Sequence, residues 1–328
     1  MNTEQLHVAL QNSFSPDASV RDPAEAAVKN LKNVRGAVTM LLQVASEKQV
    51  QYEVRQAAAI QLKNICRECW VERVSFMGAM LSSEGGTKAI ILAEEDKAGI
   101  RTNLVDALLS EAEKSVRDLM AETIHSIAIH DFPQHWPSLL PTLLQQTAQS
   151  SDPSQALRVH NALLALRKIC KRYEYKSKEQ RGPLNDIVLQ SFPLLLPLAQ
   201  RLADPNEHSI EAAMMLKQIL KIFWSSTQFY LPNGVSGDVS ASGGEKPETL
   251  QPWFDVLHAV LTKPLPEAST GLEPRNQPIS IEERNAWPWW KVKKWSVQIM
   301  SRLFSRYGIP AYAEDEAKAF ATYFSQTV

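Results

Sequence analysis

The sequence has few of the features that mark secreted, membrane or nucleic-acid-binding proteins. Its 328 residues include only three cysteines, and the net charge is −1 with a pI near 6.7. So few cysteines exclude a disulfide framework and favour a reducing compartment. Balanced charge offers no bulk attraction to a polyanion or an anionic membrane. No apolar run approaches the ~20 residues of a membrane span, and the N-terminal MNTEQLHVALQNSF lacks a signal-peptide core. We therefore expect a soluble intracellular protein.

Signals for strands and for catalysis are also scarce. Alternation of β-branched and polar residues does not persist anywhere along the chain. The Gly-Gly pairs at 85–86 and 243–244 lie in polar stretches without the strand that a phosphate-binding loop requires. His130, Asp131 and His135 lie in HDFPQHWPSLLP, whose prolines and apolar residues predict a turn between helices. We expect no enzymatic activity, no catalytic residues and no cofactor.

The sequence does contain a recurring helical stripe. In YEVRQAAAIQLKNICRECW (52–70), apolar residues fall at i, i+4, i+8 and i+11, which is the spacing of one helix face. Two later segments repeat the pattern, and a cation follows the first apolar residue each time. The stripes are Val54, Ala58, Leu62 and Ile65; Val116, Met120, Ile124 and Ile127; and Val292, Ser296, Met300 and Leu303, with Arg55, Arg117 and Lys293 as cations. Such self-similarity predicts a helical repeat protein.

Capping motifs predict where several helices start. DPAE at 22, DPSQ at 152 and DPNE at 204 offer an Asp N-cap, a Pro at the first helical position, and Glu or Gln three residues after the Asp. Ser280 with Glu283 offers a further capping box.

The predicted fold class is all-α, an α-solenoid of HEAT-type helix pairs, with about six pairs plus an unpaired terminal helix. Three polar or proline-rich stretches interrupt the series, at 78–93, 231–248 and 264–280, and the unpaired helix lies near 311–325. The predicted pairs are 2–13 with 22–33, 35–46 with 51–70, 95–110 with 114–130, 135–149 with 153–174, 183–202 with 206–228, and 250–262 with 281–306.

Two motifs admit both a chemical and a structural interpretation. Cys66 and Cys69 form a C-x-x-C pair at the end of a helix, without the second ligand pair that zinc requires or the preceding strand of a redox motif. We interpret the pair as part of a packed helix wall and predict no metal site. WPWWKVKKW (287–295) suits base stacking, a pocket for an acidic cargo segment, or a core with lysine stems reaching water. Because apolar residues continue along the same helix, we favour the core.

Several segments resemble nuclear transport receptors. The block from AEAAVKNLKN through VRQAAAIQLKNICRECW resembles the importin-β N-terminal domain. KSKEQRGPLNDIV and PWWKVKKWSVQIMSRLFSRYGIP are similar to segments of the importin-seven and importin-eight class. The resemblance covers essentially the whole chain and implies the N-terminal portion of a longer solenoid. It divides the chain into importin-β N-terminal-like HEAT repeats expected to bind Ran (1–110), further HEAT repeats (111–230), a flexible linker (231–248), and repeats with the Trp-rich helix and a truncated end (249–328).

The function that this resemblance implies is nuclear import, with shuttling between cytoplasm and nucleus. Implied partners are the Ran GTPase in its GTP form, phenylalanine-glycine nucleoporins, cargo such as basic ribosomal proteins or histones, and possibly another importin. Neither a membrane nor direct nucleic-acid contact is expected. The alternatives are a Ran-dependent export receptor of the same fold, a generic HEAT-repeat scaffold, or an RNA-binding solenoid.

Helix geometry selects the residues of the expected Ran site. Opposite the apolar stripe of helix 51–70, Gln61, Asn64 and Glu68 share a polar face. On helix 114–130, Glu122 and His125 point away from the apolar stripe. The resemblance implies that this face meets RanGTP, with Glu68 and Glu122 engaging basic groups on the GTPase.

Overall fold

The computed structural model describes residues 1–72, 90–228, 231–232, 235, 250–267, 279–307 and 325. Within these ranges every regular element is helical, and the chain divides into two compact units, Met1–Leu139 and Leu140–Val328. No helix in the described part of the chain combines the length and apolarity needed to cross a membrane. This all-α sequence of helix pairs is the architecture that the stripes predict.

The first unit consists of three helix pairs. Its helices are α1 (Thr3–Asn12), α2 (Ala18–Lys29), α3 (Ala37–Ser46), α4 (Tyr52–Cys69), α5 (Glu94–Leu109) and α6 (Lys114–Asp131). The first helices of the pairs form one layer, in which α3 packs against α1 and α5. In the second layer α4 packs against α6. The apolar stripes account for this contact, because the four stripe residues of α6 are fully buried and those of α4 are at most 6% exposed.

The second unit repeats the scheme. Its helices are α7 (Leu139–Ala148), α8 (Ala156–Lys171), α9 (Gly182–Leu202), α10 (Ile210–Ser226), α11 (Gln251–Thr262), α12 (Ile281–Ala286) and α13 (Pro288–Tyr307). One layer contains α8, α10 and α13, with α10 in contact with both others, and α9 packs against α11 in the other layer. The six predicted pairs therefore match the described helices closely.

Two predicted helix starts are wrong. The helix assigned to DPAE begins earlier, at Ala18, because the Asp17 carboxylate accepts a hydrogen bond from the Ser19 amide (2.8 Å) and caps it; Pro23 lies inside α2. At DPNE, Asp204 accepts from the amide of Asn206 within a turn (2.8 Å). The helix begins at Ile210, where the Ser209 hydroxyl is the N-cap.

The other capping motifs behave as predicted, but the Trp-rich helix is interrupted. Asp152 caps the short 3₁₀ turn that leads into α8, and Ser280 and Glu283 form the capping box of α12. Residues 281–306 were predicted as one helix, whereas Trp287 is extended (ψ 132°) and separates α12 from α13. Pro288 disfavours a helical conformation in the residue before it and suits the first turn of a new helix.

Several sequence expectations fall outside the described residues. They are most of the interruption at 78–93, most of the linker 231–248, the middle of the stretch 264–280, and the terminal helix 311–325 apart from its last residue.

Candidate partner-binding face

Cations at helix ends hold the second helix of a pair against the first. Arg55 of α4, Arg117 of α6 and Lys293 of α13 each donate a hydrogen bond to a backbone carbonyl at or just beyond the end of their partner helix. The acceptors are the carbonyls of Ala45, Ala112 and Leu261, at 3.0, 3.3 and 2.6 Å. The last carbonyls of a helix lack intrahelical partners and carry partial negative charge, so a cation there is stabilising. The cation that recurs in the sequence pattern therefore has a structural role.

A buried ion pair fixes α4 relative to the start of α6. Glu111 lies between α5 and α6, and its side chain is 1% exposed. The Arg55 guanidinium donates to the Glu111 carboxylate, and the Lys48 ammonium lies 3.0 Å from the same oxygen at the solvent edge. The other carboxylate oxygen accepts from the Glu113 amide at 2.8 Å. Glu111 thus has partners both from the preceding helix pair (α3 and α4) and from its own segment between α5 and α6. These partners compensate the cost of burying its charge.

A second polar cluster fastens the far ends of α4 and α6. The indole N–H of Trp70, which is 1% exposed, donates to Asp131 at 3.0 Å. Arg101 of α5 donates to the other Asp131 oxygen at 2.6 Å, and its guanidinium carbon lies 5.9 Å from the Trp70 ring centre. Asp131 therefore joins the ends of α4 and α6 to the middle of α5. The stretch HDFPQHWPSLLP contains the turn between α6 and α7, as predicted.

The cysteine pair belongs to the packed wall of α4. Cys66 is fully buried and Cys69 is 4% exposed. Burial, and secondarily the neighbouring Cys69, raises the pKa of the Cys66 thiol, so the thiolate needed for metal binding or redox chemistry is disfavoured. Within the described ranges, His, Cys, Asp and Glu side chains form no group of three or more placed to hold a metal ion.

The predicted polar face of α4 changes in exposure along the helix. Gln61 is half-buried and lines an open cavity of about 520 Å³ together with residues of α2, among them Asp22, Glu25 and Lys29. Asn64 is half-buried one turn further along, and the Glu68 side chain is 53% exposed near the end of the helix. Of the three predicted residues on α4, only Glu68 is exposed.

On α6, Glu122 and His125 are both half-buried, beside a fully buried stripe. Because α4 and α6 are neighbours in one layer, the structure brings the polar positions of the two helices onto adjacent elements. The ion pair at Glu111 and the cluster at Asp131 fix these helices at both ends. The structure thus places Asn64 and Glu68 on one of two neighbouring helices and Glu122 and His125 on the other.

Comparison with known proteins identifies the family of this chain. Residues 24–110, which include α3, α4 and α5, match the family model described as the importin-beta N-terminal domain. The chain is 30% identical over 312 residues to an importin beta-like SAD2 homolog of Arabidopsis thaliana, covering 95% of this chain and 27% of that protein. It is 29% identical to importin-8 of Homo sapiens over 329 residues, covering 100% of this chain and 28% of that protein. The chain belongs to the importin-β superfamily.

The solved structure of exportin Cse1 in its cargo-free, cytoplasmic state shows the same fold as this importin-β superfamily chain. The TM-score is 0.74 at 19% sequence identity, with 99% of this chain and 31% of that chain covered. The likeness establishes the predicted α-solenoid of HEAT type. The chain spans less than a third of the length of the relatives that it matches.

One residue of the face was missed in the sequence reasoning. Arg67 is 53% exposed and its guanidinium lies 3.4 Å from the Glu68 carboxylate. The pair places a positive charge next to one of the two carboxylates expected to attract basic groups. Its signal in the sequence is the Arg-Glu dipeptide itself, but adjacent helical residues lie about 100° apart, so helix geometry does not bring them together.

The Trp-rich block of this superfamily member places one of its four tryptophans in the core of the second unit. Trp289 is 2% exposed, its indole N–H donates to the His208 carbonyl (3.2 Å), and the Lys263 ammonium lies 4.0 Å from its ring centre. The core interpretation is confirmed for Trp289. Trp295 is half-buried, with its ring centre 5.7 Å from that of Trp224.

Proposed function

We propose that this chain is the Ran-binding portion of a nuclear import receptor. The observation that carries the proposal is the match of residues 24–110 to the importin-beta N-terminal domain, combined with the neighbouring polar faces of α4 and α6. Names of relatives support the direction of transport, since both the Arabidopsis and the human relative are called importins. The role is that of a receptor and not of an enzyme.

Electrostatic attraction at the second layer of helices is the proposed basis of Ran recognition. Glu68 and Glu122 would face basic groups on the GTPase, with Asn64 and His125 as hydrogen-bonding neighbours. Glu68 is 53% exposed, so its contribution is that of a rim charge, worth up to about 1 kcal/mol. The fixed ends of α4 and α6 keep these groups in place before binding, which lowers the cost of ordering them.

Charge reversal tests the proposal. We expect Glu68→Lys combined with Glu122→Lys to weaken binding of GTP-loaded Ran by about tenfold, because two rim charges together are worth about 1.4 kcal/mol. Arg67→Gln should maintain or strengthen binding, since it removes the cation that pairs with Glu68. Affinities are measured by biolayer interferometry with GTP- and GDP-loaded Ran.

A matched control is Asp106→Lys combined with Asp186→Lys, which makes the same charge change at exposed positions of α5 and α9. These helices belong to the other layer of each unit, so Ran affinity should stay within about twofold. An unchanged Ran affinity in the folded Glu68 and Glu122 variant would show that the site assignment is wrong. Absence of binding by the unmodified chain would contradict the proposed function itself.

Transport direction is tested with the same reagents. An import receptor releases cargo when RanGTP binds, whereas an export receptor binds cargo and RanGTP together. We expect basic ribosomal proteins or histones to be retained on the immobilised receptor without RanGTP and to elute when it is added. Cargo retention that requires RanGTP would identify an exporter.

The proposal also implies docking of phenylalanine-glycine nucleoporins on the other layer of helices and a distribution between cytoplasm and nucleus.

A further inference from the structure

The longest helix in the described part of the chain, α9, has prolines at two interior positions. It runs over 21 residues, and Pro193 and Pro197 lie in its second half. A proline has no backbone N–H to donate to the carbonyl four residues earlier, and its ring crowds that carbonyl. The carbonyls of Leu189 and Pro193 therefore lose their usual helical donors. Two of the hydrogen bonds that stiffen a helix are missing from the interior of α9.

Both missing bonds lie along one exposed side of α9. Leu189, Pro193 and Pro197 follow one another at a spacing of four residues, which aligns them on a single helix face. All three residues are exposed, and Leu189 is 41% exposed. The side of the helix with the interrupted hydrogen bonding therefore faces water.

The opposite side of α9 is apolar and buried against two other helices. The ring centre of Phe192 lies 6.1 Å from that of Phe223 on α10 and 5.2 Å from that of Trp253 on α11. Further residues of this side are fully buried, namely Ile187, Leu195 and Ala199. The middle of α9 thus connects its own helix pair with the next one through apolar contacts.

Polar contacts fix both ends of α9. Arg181, directly before the helix, is fully buried and donates a hydrogen bond to the Ser226 carbonyl at the end of α10 (2.9 Å). Arg201, in the last turn, donates to the Ser150 carbonyl and, at 3.2 Å, to the Ser151 hydroxyl between α7 and α8. Each end is therefore tied to a neighbouring element by directional bonds.

The section between these ends has no comparable anchor. Between positions 183 and 200, no side chain donates or accepts a hydrogen bond or forms an ion pair with another described residue. The hydroxyl of Ser191 is buried without a hydrogen-bond partner in that part of the chain. Apolar contacts are not directional, so they hold the middle of α9 in place without fixing its curvature.

We propose that α9 bends at residues 189–197 and is a bending point built into the second unit. A helix that is fixed at both ends and weakened on one side between them curves at the weakened section. Carbonyls on the exposed side can tilt toward water, which makes the helix convex toward solvent. Because α9 contacts both α10 and α11, its curvature sets the position of one helix pair relative to the next. This property belongs to the chain itself and does not depend on which partner it binds.

Hydrogen exchange on the full chain tests whether the middle of α9 is weakened. We expect amides of residues 190–201 to exchange faster than those of α6, which has no proline among its 18 residues. Pro193→Ala combined with Pro197→Ala supplies the two missing donors and should raise protection in this section by about tenfold or more. The matched control, Leu189→Ala combined with Leu194→Ala, changes two exposed positions of the same helix and keeps both prolines. It should change protection by less than about twofold.

Distance measurements by electron paramagnetic resonance report the bending itself. Nitroxide labels on Asp186→Cys and Gln200→Cys occupy exposed positions on either side of the bend, whereas the three natural cysteines are buried. In a straight helix the two positions are separated by roughly 21 Å along the axis. We expect a broad distance distribution that narrows when both prolines are replaced by alanine and stays broad in the leucine control.

Two outcomes would overturn the proposal. The first is protection of residues 190–201 in the unmodified chain equal to that of α6. The second is a distance distribution of equal width with and without the prolines, which would show that the prolines lower helix stability without creating a bend. Circular dichroism of each variant confirms that the chain is folded in both measurements.

Discussion

The contact between Arg55 and Glu111 should be the most sensitive single link in the first unit. Arg55→Met removes a guanidinium that donates both to Glu111 and to the Ala45 carbonyl at the end of α3. The Glu111 side chain, 1% exposed, would then keep Lys48 as a cationic partner, and Lys48 is 49% exposed. Removing one partner of a buried ion pair costs about 3–5 kcal/mol, and because Lys48 and the Glu113 amide stay with Glu111, we expect the lower end of that range.

Hydrogen exchange is the appropriate measurement, because a chain with two compact units need not unfold in one cooperative transition. A loss of 3–5 kcal/mol corresponds to a fall in protection of about two to four orders of magnitude, at ~1.4 kcal/mol per tenfold. The fall should appear at the best-protected amides of α4 and α6. Amides of α10, in the other unit, serve as the internal reference.

Two further variants test whether burial of the Arg55–Glu111 pair is the cause of the lost stability. Arg35→Met disrupts an Arg–Glu pair with Glu95 whose side chains are 76% and 73% exposed, and it should cost less than about 1 kcal/mol. Arg55→Met combined with Glu111→Leu should be less damaging than the sum of its single changes, since no unpaired buried charge remains. If Arg55→Met lowers protection no more than Arg35→Met does, the buried pair does not hold the unit together.

Three other predictions follow from local chemistry. Burial and neighbouring cations lower the pKa of Lys221 from 10.5 to about 8, so the unfolded chain binds more protons at this residue between those values. The contribution of Lys221 to stability should therefore rise with pH across that window, and the unfolding free energy of the unmodified chain should increase relative to that of Lys221→Met in urea denaturation between pH 8 and 10.5. Cys66 should react slowly with a thiol reagent until urea unfolds α4, because burial raises its pKa; rapid reaction in the native state would contradict its place in the wall. Trp70→Phe removes the hydrogen bond to Asp131 and should lower the stability measured by hydrogen exchange in α6 by about 1–3 kcal/mol. Trp290→Phe removes a hydrogen bond to the exposed side chain of Asn285 and should cost less stability.

The helix pairs were predictable because the driving signal is local. An apolar stripe with a period of 3.6 residues fixes both the existence of a helix and its buried side, as in α4 and α6. Helix starts were less predictable, since an Asp-Pro motif fits a turn as well as a cap. At Asp204 the carboxylate closes a turn, and the hydroxyl of Ser209 caps the helix five residues later.

The candidate face was predictable only in part, because a helical wheel does not say which neighbour each side meets. Gln61 and Glu68 lie on one side of α4, yet Gln61 lines a cavity next to α2 while Glu68 is exposed beside Arg67. The Asp131 cluster was equally hidden, since Trp70 and Asp131 are 61 residues apart in the sequence. Long-range pairing of this kind has no periodic signal in a single sequence.

The basic character of α8, α10 and α13 was hidden for a related reason, which is that net charge is a sum over the whole chain. Acids concentrate where helix dipoles favour them, as in the first turns of α5 (Glu94, Glu95 and Asp96) and α12 (Glu282 and Glu283). They cancel the cations of α8, α10 and α13 in the total, although the two sets lie on different helices. At physiological ionic strength a charge acts over roughly 8 Å, so a partner responds to the cations near it and not to the sum. A balanced composition therefore argues against a long-range field of the whole chain, but it does not show how basic and acidic residues are distributed among the helices.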